Sequence, residues 1–120
     1  MQKEMLISKL AKLAVKVGVN VQKGQTVVVR SSLTAKELAR EIVKEAYLSG
    51  ARKVIVDWND EYVSRSSFLY MDDETLQEVP DYVVDRSKYY VDHNASFISV
   101  ISPLIGVNKD LDPKKMQLAM

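Results

Sequence analysis

The sequence predicts an α/β fold: a small, open, mainly parallel sheet of at least three strands with helices on both faces. Three observations predict it. Short β-branched runs recur at TVVVR (Thr26 to Arg30), KVIVDW (Lys53 to Trp58) and ASFISVIS (Ala95 to Ser102). Segments of helical periodicity separate them, and the joints are short. Strand, helix and strand in that order make a βαβ unit, whose two strands are parallel with a right-handed crossover.

The elements follow in order. Leu6, Leu10, Leu13, Ala14 and Val17 fall at helical spacing, which predicts an amphipathic first helix closing near Gly18. VNVQKGQ leads through Gly24 into TVVVR, whose unbroken apolar run predicts a strand buried on both faces. Thr34 and Glu37 make a T-x-x-E capping box for a helix with Leu38, Ala39, Ile42, Val43 and Ala46 on one face. Gly50 is placed for the left-handed C-cap, and KVIVDW is the second strand.

From Asn59 to Met71 the chain is polar with scattered aromatics and predicts no clear element. Asp72, Asp73 and Glu74 suit the cap of a short helix through Glu78. Pro80 begins another, with Val83, Val84, Ser87, Tyr90 and Val91 on one face and Asn94 at its end. After the third strand, Gly106 to Leu111 is a loop. Asp112 and Pro113 then read as N-cap and first residue of a helix that is still unfinished at Met120. An unfinished helix and a sheet with few covering elements suggest an excised piece; a frayed terminal helix in a complete domain looks the same.

Composition narrows the function. The chain has 120 residues, with 17 basic against 16 acidic side chains and a net charge of +1. That balance gives no electrostatic case for DNA, RNA or an anionic membrane. The absence of Cys rules out disulfides, thiolate metal ligands and thiol nucleophiles in this chain. No apolar run approaches the ~20 residues of a membrane span. MQKEMLISKL lacks the continuous apolar core of a secretory signal, so a cytoplasmic protein is expected.

Candidate chemistry is sparse. Asp57, Asp60 and Glu61 bracket Trp58 and Asn59 at the carboxyl end of a predicted strand, where α/β ligand sites lie. Three carboxylates suit Mg²⁺ or Ca²⁺, but an acidic loop capping the next helix has the same composition and is the favoured reading. Arg30, Ser31 and Ser32 stand before a helix N-terminus, without a Gly-rich phosphate loop. His93, the single histidine, follows Asp92 near a helix end, where a positive charge is favourable on dipole grounds alone. Tyr82, Tyr89 and Tyr90 lack the basic groove of a base-stacking platform.

Taken together, KLAKLAVKVGVNVQKGQTVVVRSS, LAREIVKEAYLSGARKVIVDWND, LQEVPDYVV, ASFISVIS and DLDPKK carry a resemblance across essentially the whole chain. In order and spacing they resemble the N-terminal domain of the aminopeptidase T/aminopeptidase S family of thermophilic-type metalloaminopeptidases. ISPLIGVNKDLDP follows that pattern more loosely. The resemblance implies an exopeptidase that releases N-terminal amino acids from peptides with two divalent metal ions, cobalt or zinc. Two metals polarise the scissile carbonyl and generate hydroxide. It also implies a homodimeric parent, with its metal ligands and acid/base residues in a larger C-terminal domain. Residues 1–120 would then be one truncated, non-catalytic α/β domain walling the substrate entrance. No catalytic, cofactor-binding or metal-binding residue is assigned within it, and no metal is expected in it. The alternative is a free-standing α/β domain that binds a small ligand or partner at the strand ends near Arg30 and Asp57.

Overall fold

The computed structural model describes residues 2–100. Helix α1 (Gln2–Leu13) runs into a π-helical turn (Ala14–Gly18) and is followed by strand β1 (Thr26–Ser32). A 3-10 turn (Leu33–Ala35) opens α2 (Lys36–Leu48), which leads to β2 (Lys53–Asn59). Three helices, α3 (Glu61–Tyr70), α4 (Asp73–Gln77) and α5 (Asp81–Asp92), then precede β3 (Ser96–Val100). The strands form one parallel sheet in the order β2-β1-β3, with Arg30 opposite both Asp57 and Ser99.

The central position of β1 explains its composition. Val27, Val28 and Val29 are all 0% exposed, so both faces of the strand are covered, as its unbroken apolar run predicts. Val27 and Val29 join Val54 and Ile98 in a core closed by Ala39, Ile42 and Ala46 of α2 and Ala11 of α1, with Val15 of the π turn. The alternate face meets α5: Tyr90 packs edge-on against Phe97, which stands opposite Val28, and bonds Asp57, which stands opposite Arg30. Helices therefore lie on both faces of the sheet. The connections β1 to β2 and β2 to β3 run in opposite directions across the sheet, and connections of one hand then place their helices on opposite faces.

Backbone hydrogen bonds clamp the amino ends of β1 and β2 together. Gly24 N–H donates to Gly50 O at 2.8 Å and Arg52 N–H donates to Gln25 O at 2.8 Å. Gly50 has φ +104°, the left-handed conformation its position predicts, and Asn94 ends α5 at φ +50°.

Four expectations need correction. The buried stripe of α1 and its π turn is Ala11 and Val15 with Ala14 beside them; Leu6, Leu10, Leu13 and Val17 are exposed, Val17 by 74%. The helix carries two apolar stripes, and the small Ala11 side, which admits a close approach to α2, is the one packed. The capping box does not form. Ser32 caps the 3-10 turn by accepting Thr34 N–H at 3.2 Å, and the N-cap of α2, Ala35, offers no side-chain bond.

Residues 61–70, expected to be irregular, are helical because the Asp60 carboxylate accepts Tyr62 N–H at 2.9 Å. On α5, Tyr90 is the buried residue, while Val84 and Val91 are exposed and Val83 is half-buried. Asp72 accepts Thr75 N–H at 2.7 Å and starts α4, in line with its expected role. Ile101 and Ser102 of the third predicted strand, the Gly106 to Leu111 loop and the helix expected from Asp112 lie outside the described residues.

The α3–α5 layer exposes Tyr62, Val63, Tyr70, Tyr82 and Val84.

Candidate ligand-binding cleft

Parallel α/β sheets take ligands beyond the carboxyl ends of their strands, where the direction of sheet building reverses. Here β1 is followed by β2 on one side and, after α3–α5, by β3 on the other. The reversal point therefore lies over the end of β1. A cleft of about 400 Å³ opens at that place.

β1 contributes Arg30, Ser31 and Ser32 to the cleft wall, and β2 contributes Asp57, Trp58 and Asn59. Glu61 enters from α3, Arg86 from α5, and Ser99 and Val100 from β3. Alternation along the strands determines which neighbours meet. Arg30, Asp57 and Ser99 are register partners and project to the α5 face. Ser31 is buried, and its hydroxyl donates to Ser32 O at 2.9 Å, so it closes the floor of the strand end.

Asp57 is held by Tyr90, whose hydroxyl lies 3.0 Å from each carboxylate oxygen. Burial pushes the Tyr90 hydroxyl above its ordinary pKa; its bond to Asp57 and the charge of that carboxylate raise it further, against opposing contributions from Arg86 and Arg30. Tyr90 is thus a donor over the whole neutral range. Arg30 does not pair with Asp57 across the register. Its guanidinium swings toward β3 and sits 4.5 Å from the centroid of the Phe97 ring. The Phe97 ring in turn meets Tyr90 edge-on at 5.6 Å.

Charges of both signs therefore share one cleft without neutralising each other. The ion pairs Lys3–Glu37, Lys44–Glu41 and Lys88–Asp92 involve none of the four, and among the described residues Arg30, Arg86, Asp57 and Glu61 have no partner of opposite charge.

The sequence-derived candidates divide accordingly. Arg30, Ser31, Ser32, Asp57 and Glu61 converge on the cleft. Asp60 does not; its carboxylate is spent on the cap of α3. Asp57, Asp60 and Glu61 consequently form no joint metal cradle, and no group of three His, Asp or Glu able to hold a metal ion occurs among the described residues. His93 and Asp92 lie elsewhere: His93 Nδ1 meets Tyr89 O at 2.8 Å and its ring stacks on Tyr89 at 3.9 Å, while Asp92 pairs with Lys88. Among the described residues no helix is long and apolar enough to cross a membrane.

Arg86, Ser99 and Val100 are the cleft residues that sequence reading missed, and Tyr90 was weighed only for packing and stacking, not as the partner of Asp57. The available signal was spacing: Arg86 and Tyr90 stand four apart on one helix, hence on one face. Nothing in the sequence indicates that this face meets Asp57.

Comparison with known proteins places the chain in a family. The sequence model of the thermophilic metalloprotease (M29) family matches residues 3–120. Aminopeptidase 2 of Geobacillus stearothermophilus is 39% identical over 113 residues, which cover 94% of this chain and 27% of that protein. Aminopeptidase AmpS of Bacillus subtilis (strain 168) is 40% identical over 106 residues, 88% of this chain and 26% of that protein. The structure of wild-type AmpT from Thermus thermophilus superimposes with a TM-score of 0.83 at 25% identity, covering 98% of this chain and 29% of that one. The chain thus spans about a quarter of the length of the curated relatives it matches and corresponds to their N-terminal part. Its three-stranded parallel sheet has the architecture of the AmpT neighbour, and the chain belongs to the thermophilic metalloprotease (M29) family.

Proposed function

We propose that residues 1–120 are one α/β domain, the non-catalytic N-terminal part of a metal-dependent aminopeptidase that releases N-terminal amino acids from peptides. The observation that carries this reading is the match over residues 3–120 to metalloprotease relatives of which the chain spans 27%. One feature of the sequence and one of the fold support it. A single histidine without cysteine does not make the nitrogen- or sulfur-rich donor set of an ordinary zinc site. The exposed apolar side chains of α3–α5 and of the Leu6 to Val17 stripe of α1 are of the kind that pack against further protein.

In this reading two divalent ions, cobalt or zinc, are held by residues outside this domain, where they would supply the Lewis acid and the activated water. The domain forms a wall of the substrate entrance, with the carboxyl ends of its strands toward the peptide. The protein is cytoplasmic and its parent is a homodimer. The test is hydrolysis of a leucine anilide with Co²⁺ or Zn²⁺ by the 120-residue chain and by the full reading frame that contains it. The full-length protein is expected to be active and the chain alone inactive. Metal-dependent turnover by the homogeneous chain would refute the assignment, as would a full-length protein inactive with either ion.

A further inference from the structure

We propose that the cleft at the carboxyl ends of the strands binds a small zwitterion: an amino acid or short peptide with a free ammonium, a free carboxylate and an apolar side chain. The inference goes beyond the peptidase reading and does not require it.

The argument starts from the charges. Arg30 and Asp57 are opposite each other in register, where a lysine or arginine and an aspartate ordinarily pair. They do not pair here, because each is held by something else. Tyr90 fixes the Asp57 carboxylate through its hydroxyl, and the Phe97 face holds the Arg30 guanidinium on the β3 side. Arg86 and Glu61 add one more charge of each sign to the rim and are likewise unpaired among the described residues. Two cations and two anions lining one cleft, restrained apart instead of collapsed together, suit a ligand that carries both charges. Its carboxylate meets the guanidiniums, which are built for two parallel hydrogen bonds to that group. Its ammonium meets Asp57 and Glu61.

Size and lining agree. A cleft of about 400 Å³ lies at the lower end of small-molecule sites. Trp58 and Val100 give it an apolar wall for a side chain such as that of leucine. The Tyr90 hydroxyl stands 3.0 Å from both oxygens of the Asp57 carboxylate behind this wall.

The experiment is calorimetric titration of the 120-residue chain with leucine, leucinamide, N-acetylleucine and leucyl-leucine. Leucine is expected to bind, and removing either charge should weaken binding by about tenfold or more, as loss of a charge-assisted hydrogen bond does. Arg30→Gln and Arg86→Gln should each abolish the preference for leucine over leucinamide, and Asp57→Asn the preference over N-acetylleucine. Arg30 and Arg86 sit at exposed positions, so both variants should fold, and Arg86→Lys should restore part of the preference. Tighter binding of leucyl-leucine assigns the site to peptide, and tighter binding of leucine to a released amino acid. No heat with any of the four at millimolar concentration, or equal affinity for leucine and both blocked forms, overturns the proposal. The anilide assay reads the peptidase reading separately, so either can fail alone.

Discussion

Gly50 and Gly24 make an internally controlled test of how the sheet is clamped. Both have positive φ, +104° and +80°, so a Cβ at either site incurs the left-handed penalty of about 1–2 kcal/mol. Their surroundings differ. A Cβ on Gly24 meets nothing within 4 Å, whereas one on Gly50 stands 3.0 Å from Lys23 Cα and 3.5 Å from Lys23 N. Those atoms are backbone, and the Gly24 N–H to Gly50 O and Arg52 N–H to Gln25 O bonds hold that backbone in place. Relief of the clash therefore strains the clamp, which adds the overpacking cost of about 1–3 kcal/mol.

Gly24→Ala should thus lose about 1 kcal/mol and Gly50→Ala about 3 kcal/mol. Urea unfolding followed by circular dichroism measures both. The slopes should match the wild type, so that midpoints report stability. Equal losses in the two variants would show that the approach of Lys23 to Gly50 contributes nothing and would refute the reasoning.

Three further outcomes are expected. Ile42→Ala empties a fully buried core position under β1 and should cost about 2–5 kcal/mol in the same urea assay; a loss below about 1 kcal/mol would mean that α2 is not the main cover of that face. Ser32→Ala removes the acceptor of Thr34 N–H and should cost about 1 kcal/mol, with Thr34→Ala costing less; the reverse order would restore the capping-box reading. Tyr90→Phe tests the alkaline limb of stability. The Tyr90 pKa is raised on folding, so its contribution is complete below the unfolded value of about 10 and is lost as pH climbs through the folded value. The wild-type minus Phe difference in unfolding free energy should be flat at neutral pH and fall above about pH 10; a difference that grows there would contradict the raised value.

How much was legible in advance can be judged residue by residue. Strand positions were, because TVVVR and KVIVDW are β-branched runs too short for a helix and too apolar for a loop. Gly50 and Asn94 were legible from backbone sterics alone, and the βαβ handedness follows from chirality. The α3 helix was missed because its signal is one N-cap, Asp60, ahead of a segment with little periodicity. Asp57, Asp60 and Glu61 suit either a cation or a helix cap by composition; the cap was the favoured reading, and Asp60 is committed to it.

What the sequence by itself determined is therefore local: which segments extend, which coil, where each stops, and that the strands run parallel. Family membership was carried by the same linear pattern. The tertiary structure alone decided the order β2-β1-β3, since periodicity is blind to which side of β1 a later strand joins. It also decided which stripe of α1 is buried, because Leu6 to Val17 and Ala11 with Val15 are both apolar, and the choice lies with the facing surface of α2. The cleft is of the same kind. Arg30, Asp57 and Arg86 are far apart along the chain, and they share a site because parallel strands end together and α5 crosses the face onto which Arg30 and Asp57 alternate.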